Sequence, residues 1–328
     1  MGEFLEMAKV MFQPIMKLID MCGSAIGTVY EPRHIRKLAD AEAYKIKQLS
    51  TAIMESDNLP VSYENGDISM STVNFEDFVR RAEFREKHQL LREQNNIERI
   101  VGKAYQELTA VPEVTSDPVD EDWTTRFFNT VKDISSDDMQ HIWGKILAGE
   151  IVKPGSYSLK TLDVIRNLNA HYASIFQKMC PFVIKIGDMH FIPSESSIME
   201  KYQIKYGDIL ALDDIGLTIS NPYMSNSIEV LPRDKNRYVY TFERLMQVDN
   251  ETDKTISIPF NFYLLSNAGV ELYNTLCVSP DNNMFDDWVD YIFQKYNQSG
   301  ITISVLEAID TENEPFMYSS TPLRQLKK

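Results

Sequence analysis

The sequence predicts an α+β protein, with a mainly helical N-terminal half and a C-terminal winged-helix-like α/β domain. Three observations carry this. Long stretches within residues 1–110 repeat apolar residues at helical spacing. The block 119–180 holds the clearest helix start and stop signals and two of the three tryptophans, and reads as a compact three-helix unit. Beyond it, residues 181–309 alternate short β-branched and aromatic runs with turn residues, and 310–328 form a polar tail.

The first element is residues 4–29. Glu6, Lys9, Gln13, Lys17, Asp20, Ser24 and Thr28 recur every three or four residues and form one narrow polar stripe on a helix. Phe4, Leu5, Val10, Met11, Ile15, Leu18, Ile19 and Ile26 surround it. Gly23 and Gly27 add a G-x-x-x-G pair that permits close helix approach. These ten residues are the candidate self-association or membrane face. Burial in a core or an oligomer interface is the favoured reading, because the apolar arc is wider than a surface helix needs. The alternative is insertion into a membrane. Against it, Glu6 and Asp20 balance Lys9 and Lys17, where interfacial helices carry excess cations. Pro14 kinks the helix or splits it in two.

Glu31-Pro32 ends that element and a second helix is expected over 33–55. Residues 56–74, with Asn65-Gly66-Asp67, read as a loop or short hairpin. A long helix follows over 75–108, dense in Arg, Glu and Gln. At ~1.5 Å per residue it measures ~50 Å and must protrude or pair as an arm. His88 sits among its charges.

Residues 109–118 are a linker. Asp120 or Asp122 caps a helix running to Lys132, and Ser135 or Ser136 caps the next, which Gly149 and Pro154-Gly155 end near Ile151. Ser156 or Ser158 starts a third helix reaching Lys178. Trp123, Phe127, Trp143, Leu147, Pro154, Gly155 and Leu162 are its expected scaffold. Asp137, Asp138 and His141 suggest a metal or acid–base site, but capping already accounts for both acids.

In the C-terminal half, strands are expected at 182–186 and 189–192 around Gly187-Asp188, then at 228–231, 238–242, 256–265 and 301–306. Helices are expected at 194–202, up to Gly216, at 268–277 and at 281–298. The order of helix, Gly-Leu, strands and LLSNAGVELYNTL is similar to a winged-helix module. Its candidate recognition segment, 207–216, contains Asp208, Asp213 and Asp214 and no cation. Protein contact is therefore expected there, not DNA. Arg233, Lys235 and Arg237 fall in a turn.

The formal charge is −15, with 21 basic against 27 acidic residues in 1–180 and 12 against 21 in 181–328. An acidic surface repels phosphate backbones, so nucleic acid is an unfavoured partner, although a local basic patch remains compatible with it. Cys22, Cys180 and Cys277 are far apart and match no zinc or redox spacing. No P-loop, G-x-G-x-x-G, H-E-x-x-H or G-x-S-x-G occurs, and His34, His88, His141, His171 and His190 make no ligand set. No catalytic residue, cofactor or metal is expected.

The run IWGKILAGEIVKPGSYSLKTL, with DW-x-x-x-FF before it and YEPRHIRKLADAE near the N-terminus, resembles a bacterial family of unknown function over most of 15–180. The central block and part of the C-terminal half are distantly similar to abortive-infection proteins of the Abi-alpha type. That second resemblance implies phage defence, with the membrane as one site of action. The expectation is a non-enzymatic, self-associating protein of a bacterial phage-defence or stress system. It would be cytoplasmic or peripheral to the inner membrane, with other defence proteins or a phage protein as partners. The alternative is a membrane-acting effector that inserts residues 4–29 when triggered. A nucleic-acid-binding regulator ranks below both.

Overall fold

The computed structural model describes residues 13–23, 61–64, 67–70, 75–111, 114–221, 224–233, 237–276, 278–296, 299–310 and 317–327, with secondary structure alone for 61–79 and Arg237. The helix expected over 33–55 lies outside them. The protein is a mixture of helices and antiparallel sheet, with most helices in the N-terminal half and the larger sheet in the C-terminal half. The chain divides into two compact units, Met1–Leu159 and Lys160–Lys328. The division falls inside the block 119–180, so that the part after Leu159 goes with the sheet.

In the first unit, residues 13–23 are helical (α1). Val61–Glu64 (β1) and Asp67–Met70 (β2) form an antiparallel hairpin across Asn65-Gly66. The long helix α2 spans Phe75–Leu108. It is followed by α3, Glu121–Val131, and α4, Asp137–Val152. Asp120 caps α3, its Oδ1 accepting the Trp123 N–H at 2.8 Å. Ser136 occupies the N-cap of α4 without a side-chain cap bond, and Asp137 and Asp138 supply the first-turn acids. Gly149 does not end α4. The helix runs through it to Val152, and the Tyr157 side chain packs against it, 2.8 Å from where a Cβ at 149 would stand. Trp123 stacks on Phe127 with centroids 5.0 Å apart, and Trp143 meets Phe127 edge-on at 5.6 Å. The C-terminal half of α2 buries Ile97, Ile100, Val101, Ala104 and Leu108. The preceding stretch does not: Phe84, Leu90 and Leu91 are 47%, 58% and 42% exposed.

In the second unit, the helix expected to run unbroken to Lys178 is two, α5 (Leu159–Arg166) and α6 (Ala170–Met179). Asn169 makes the break, its side chain accepting the Tyr172 N–H at 3.0 Å and capping α6. A 3-10 turn at Cys180–Phe182, with Pro181, delays the first strand to Ile184–Ile186 (β3). Met189–Pro193 (β4), Ser196–Lys201 (α7), Tyr206–Asp214 (α8), Thr218–Ile219 (β5), Ser225–Val230 (β6) and Arg237–Tyr240 (β7) follow. Then come Arg244–Asn250 (β8), Ile256–Leu265 (β9), Asn267–Leu276 (α9), Asn282–Tyr296 (α10) and Ile301–Asp310 (β10).

With Met317–Tyr318 (β11) and Arg324–Lys327 (β12), the strands of this unit form one antiparallel sheet of ten, in the order β11-β10-β8-β7-β3-β4-β9-β5, with β6 also on β9 and β12 also on β10. Five strands, β5 to β9, stand between α8 and α9, and the sheet they join extends far beyond the wing of a winged helix. Strand β8 has no counterpart in the sequence reading, since Arg244, Gln247 and Asp249 mask its period. It buries Leu245, Met246 and Val248. The tail is corrected as well: Met317–Tyr318 (β11) and Arg324–Lys327 (β12) both pair with β10. One face of the sheet packs on α10 through Met284, Phe285, Trp288, Val289 and Ile292, with Phe191, Phe260 and Phe262 opposite.

Candidate functional site

Helix α1 turns its faces two ways. Ile15 (6% exposed) and Leu18 (1%) point into the first unit with Met21 and Cys22. The chain itself therefore covers these two members of the candidate face, since a helix in a bundle spends its most apolar arc on its own core. Ile19 and Gly23 are half-buried. Phe4, Leu5, Val10, Met11, Ile26 and Gly27 lie outside the described residues. Of the polar stripe, Gln13 and Asp20 are exposed with Lys17 between them, and Glu6, Lys9, Ser24 and Thr28 lie outside the described residues.

Beside this helix lies a groove of about 890 Å³. Its walls include Met16, Lys17 and Asp20 of α1, Val114 and Pro118 of the linker, and Glu121 at the start of α3. Met16 stands 52% exposed on the lip. Lys17 secures the wall, its ammonium donating to the Thr115 carbonyl at 3.2 Å and the Ile151 carbonyl at 3.1 Å. Burial lowers the pKa of Lys17, and the charges of Asp117 and Glu150 oppose that. Behind it, the buried Glu150 carboxylate accepts the Gly155 N–H at 2.7 Å and the Tyr157 N–H at 3.0 Å. Gly155 has φ +84, which a side chain rarely adopts. The groove combines an apolar lip with fixed polar groups.

The scaffold residues Trp123, Phe127, Trp143, Leu147 and Leu162 are buried, while Pro154 is half-buried and Gly155 exposed in the turn. Asp137 pairs with Lys103 at 3.0 Å, and that hydrogen bond and charge hold its carboxyl below the usual range. Asp138 and His141 are exposed. Among the described residues, no group of three or more His, Cys, Asp or Glu could hold a metal. Burial raises Cys22 and Cys180 to about 12, so both thiols stay protonated and unreactive. No described helix is long and apolar enough to cross a membrane.

A second cluster escaped sequence reasoning. Lys185 and His190 are register partners on β3 and β4 and both are buried. The Lys185 ammonium lies 3.9 Å from the Phe242 ring centroid, and Phe242 stacks on Tyr273 at 5.5 Å. His190 Nδ1 lies 3.1 Å from the Asp188 carbonyl. No local motif marks these residues, because strand pairing brings them together. In the segment 207–216, Asp213 accepts the Ser220 hydroxyl at 2.5 Å and Asp214 is exposed. Arg233 pairs with Asp253 at 3.2 Å, and Lys235 lies outside the described residues.

A family model described as a protein of unknown function (DUF2806) matches residues 80–289, and the chain belongs to that family. The match begins inside α2 and takes in most of the sheet unit, where the resemblance in the sequence lay mainly before residue 180. No curated protein and no solved structure matches the chain.

Proposed function

We propose that this member of the DUF2806 family is a non-enzymatic, self-associating interaction protein of a bacterial phage-defence or stress system. The observation that carries the reading is the groove beside α1, with Met16 exposed on its lip and Ile19 and Gly23 half-buried next to it. After Ile15 and Leu18 have gone into the core, Met16, Ile19 and Gly23 still share one side of the helix, at spacings of three and four. That residual surface takes a second copy of the chain, or another defence-system or phage protein. The distant similarity to Abi-alpha proteins supports the defence assignment.

Light scattering on the eluting full chain tests the self-association. At about 10 μM the wild type should run above its monomer mass of 37.8 kDa. Met16→Glu with Ile19→Glu should return it to monomer, since two charges at an apolar contact cost several kcal/mol, roughly. A wild-type monomer at that concentration sinks the self-association.

A further inference from the structure

The arm at the start of the long helix segregates its charge in a way that the net charge of the protein conceals. On a helix of ~100° per residue, Arg81, Arg85, His88 and Arg92 follow one another at spacings of four, three and four along a single side. Lys87 lies on the other flank of the same face. Between the two flanks stand Phe84 and Leu91, one heptad apart and 47% and 42% exposed. Glu86 and Glu93 fall on the opposite side of the helix, continuous with the side that Ile97, Ile100 and Ala104 bury in the bundle. Arg85, Lys87, His88 and Arg92 are exposed, and none of them pairs with an acid among the described residues. In a chain of charge −15, this helical face thus carries cations and apolar residues and no acid over residues 81–92.

We propose that this face, centred on Phe84 and Leu91, is a docking surface for an anionic lipid bilayer. Two apolar side chains in the middle of a helical face, with cations on both flanks, match the section through a membrane surface. The apolar groups enter the acyl boundary, and the long cationic side chains reach the headgroups. The face is convex and offers no groove, so a fluid sheet of anions suits it better than a fixed protein surface, which would need matching acids at each position. A nucleic-acid backbone would satisfy the cations but leave Phe84 and Leu91 facing phosphates. The inference is independent of the groove beside α1. It also places membrane contact on residues other than 4–29.

The test is flotation of the full chain with vesicles of phosphatidylcholine alone and of phosphatidylcholine with about a third phosphatidylglycerol, at low and high salt. The wild type should bind the anionic vesicles at least ~10-fold more tightly than the neutral ones, and high salt should abolish the difference. Arg85→Glu with Arg92→Glu should remove that preference. Phe84→Ser with Leu91→Ser should weaken binding several-fold at low salt. All four side chains are exposed, so the variants should keep the wild-type circular dichroism, and Arg85→Gln with Arg92→Gln provides a milder pair. Equal binding to both vesicle types overturns the proposal, as does undiminished binding by the charge-reversed protein. Binding to duplex oligonucleotides without binding to vesicles also overturns it, and assigns the stripe to phosphate backbones. A change in monomer mass from the Met16 and Ile19 variants, with vesicle binding intact, would show the two surfaces to be separate.

Discussion

The Oε1 atom of Glu150 lies 2.7 Å from the backbone nitrogen of Gly155, and its other oxygen accepts the Tyr157 N–H. A single buried carboxylate thus holds the turn that ends α4. Glu150→Gln keeps the shape but replaces one acceptor with a donor facing an N–H. The expected cost is about 2 kcal/mol, since bonds to a charged acceptor are worth more than neutral ones. Gly155→Ala, at φ +84, should cost about 1 kcal/mol by backbone strain alone. Urea unfolding of both variants checks the order. A Glu150→Gln protein as stable as wild type would show that the turn does not depend on the carboxylate.

Two glycines mark close approaches, and their severities should differ. A Cβ at Gly144 would stand 2.7 Å from Lys103 Cβ, an atom fixed by the α2 backbone, and 3.2 Å from the Ala104 nitrogen, so α2 and α4 would have to part slightly. A Cβ at Gly269 would stand 2.0 Å from the Leu217 carbonyl oxygen, which also accepts the Ser266 N–H and cannot move freely. Gly144→Ala is expected to cost about 1–2 kcal/mol and Gly269→Ala about 3 kcal/mol or more. Thermal melts of the two variants decide it, and equal losses would contradict this ranking by closeness of approach.

What the sequence made legible follows from how local each signal is. Asp120, the acids of α4 and Gly187 act within a few residues of themselves, and the elements they start or turn stand where expected. Strand β8 was not legible because Arg244, Gln247 and Asp249 interrupt its apolar residues and mask its period, while its pairing partners lie on β7 and β10. The strands of the tail were not legible because Arg324, Gln325 and Lys327 are polar, yet such residues suit an edge strand. The candidate site divides in the same way. The polar stripe of α1 was readable from its period. Which apolar residues the chain itself would cover depended on α1 packing in the bundle, and the cluster of Lys185 and His190 depended on strand register.

His190 gives the sheet unit an acid-sensitive component. Burial and the nearby Lys185 charge lower its pKa from 6.5 to about 4. The unfolded chain therefore takes up a proton near pH 6.5 that the folded chain refuses. Stability from this source is fully present above about pH 6.5 and is lost as pH falls toward about 4, worth about 3 kcal/mol in all. Glu195 acts in the opposite sense. Burial raises its pKa, against the Asn261 N–H that it accepts, so its contribution is present at low pH and lost as pH rises through the raised value. His190→Gln should flatten the rise of Tm between about pH 4 and 6.5, and Glu195→Gln should steepen it. Melting curves across that range check both. An unchanged profile in the His190→Gln protein would remove histidine from the explanation.

The last strand closes the sheet, and removing it should expose an edge. Thr302, Ile303, Ser304 and Val305 of β10 pair with Lys327, Leu326, Gln325 and Arg324. Leu326 packs against the core, and the Arg324 guanidinium pairs with Asp290 of α10. That ion pair is partly open to solvent, so Arg324→Gln alone should cost no more than about 1 kcal/mol. Deleting residues 320–328 is a different change. It leaves the N–H and C=O groups at one edge of β10 unpaired, beside Ile303 and Val305, which are 2% and 1% exposed in the intact protein. A bare apolar edge strand is a template for pairing with another chain. The truncated protein should therefore melt lower and scatter light progressively at about 10 μM, whereas the Arg324→Gln protein should do neither to a comparable extent. A truncated chain that stays at its starting mass with an unchanged Tm would show that β12 is dispensable for closing the sheet.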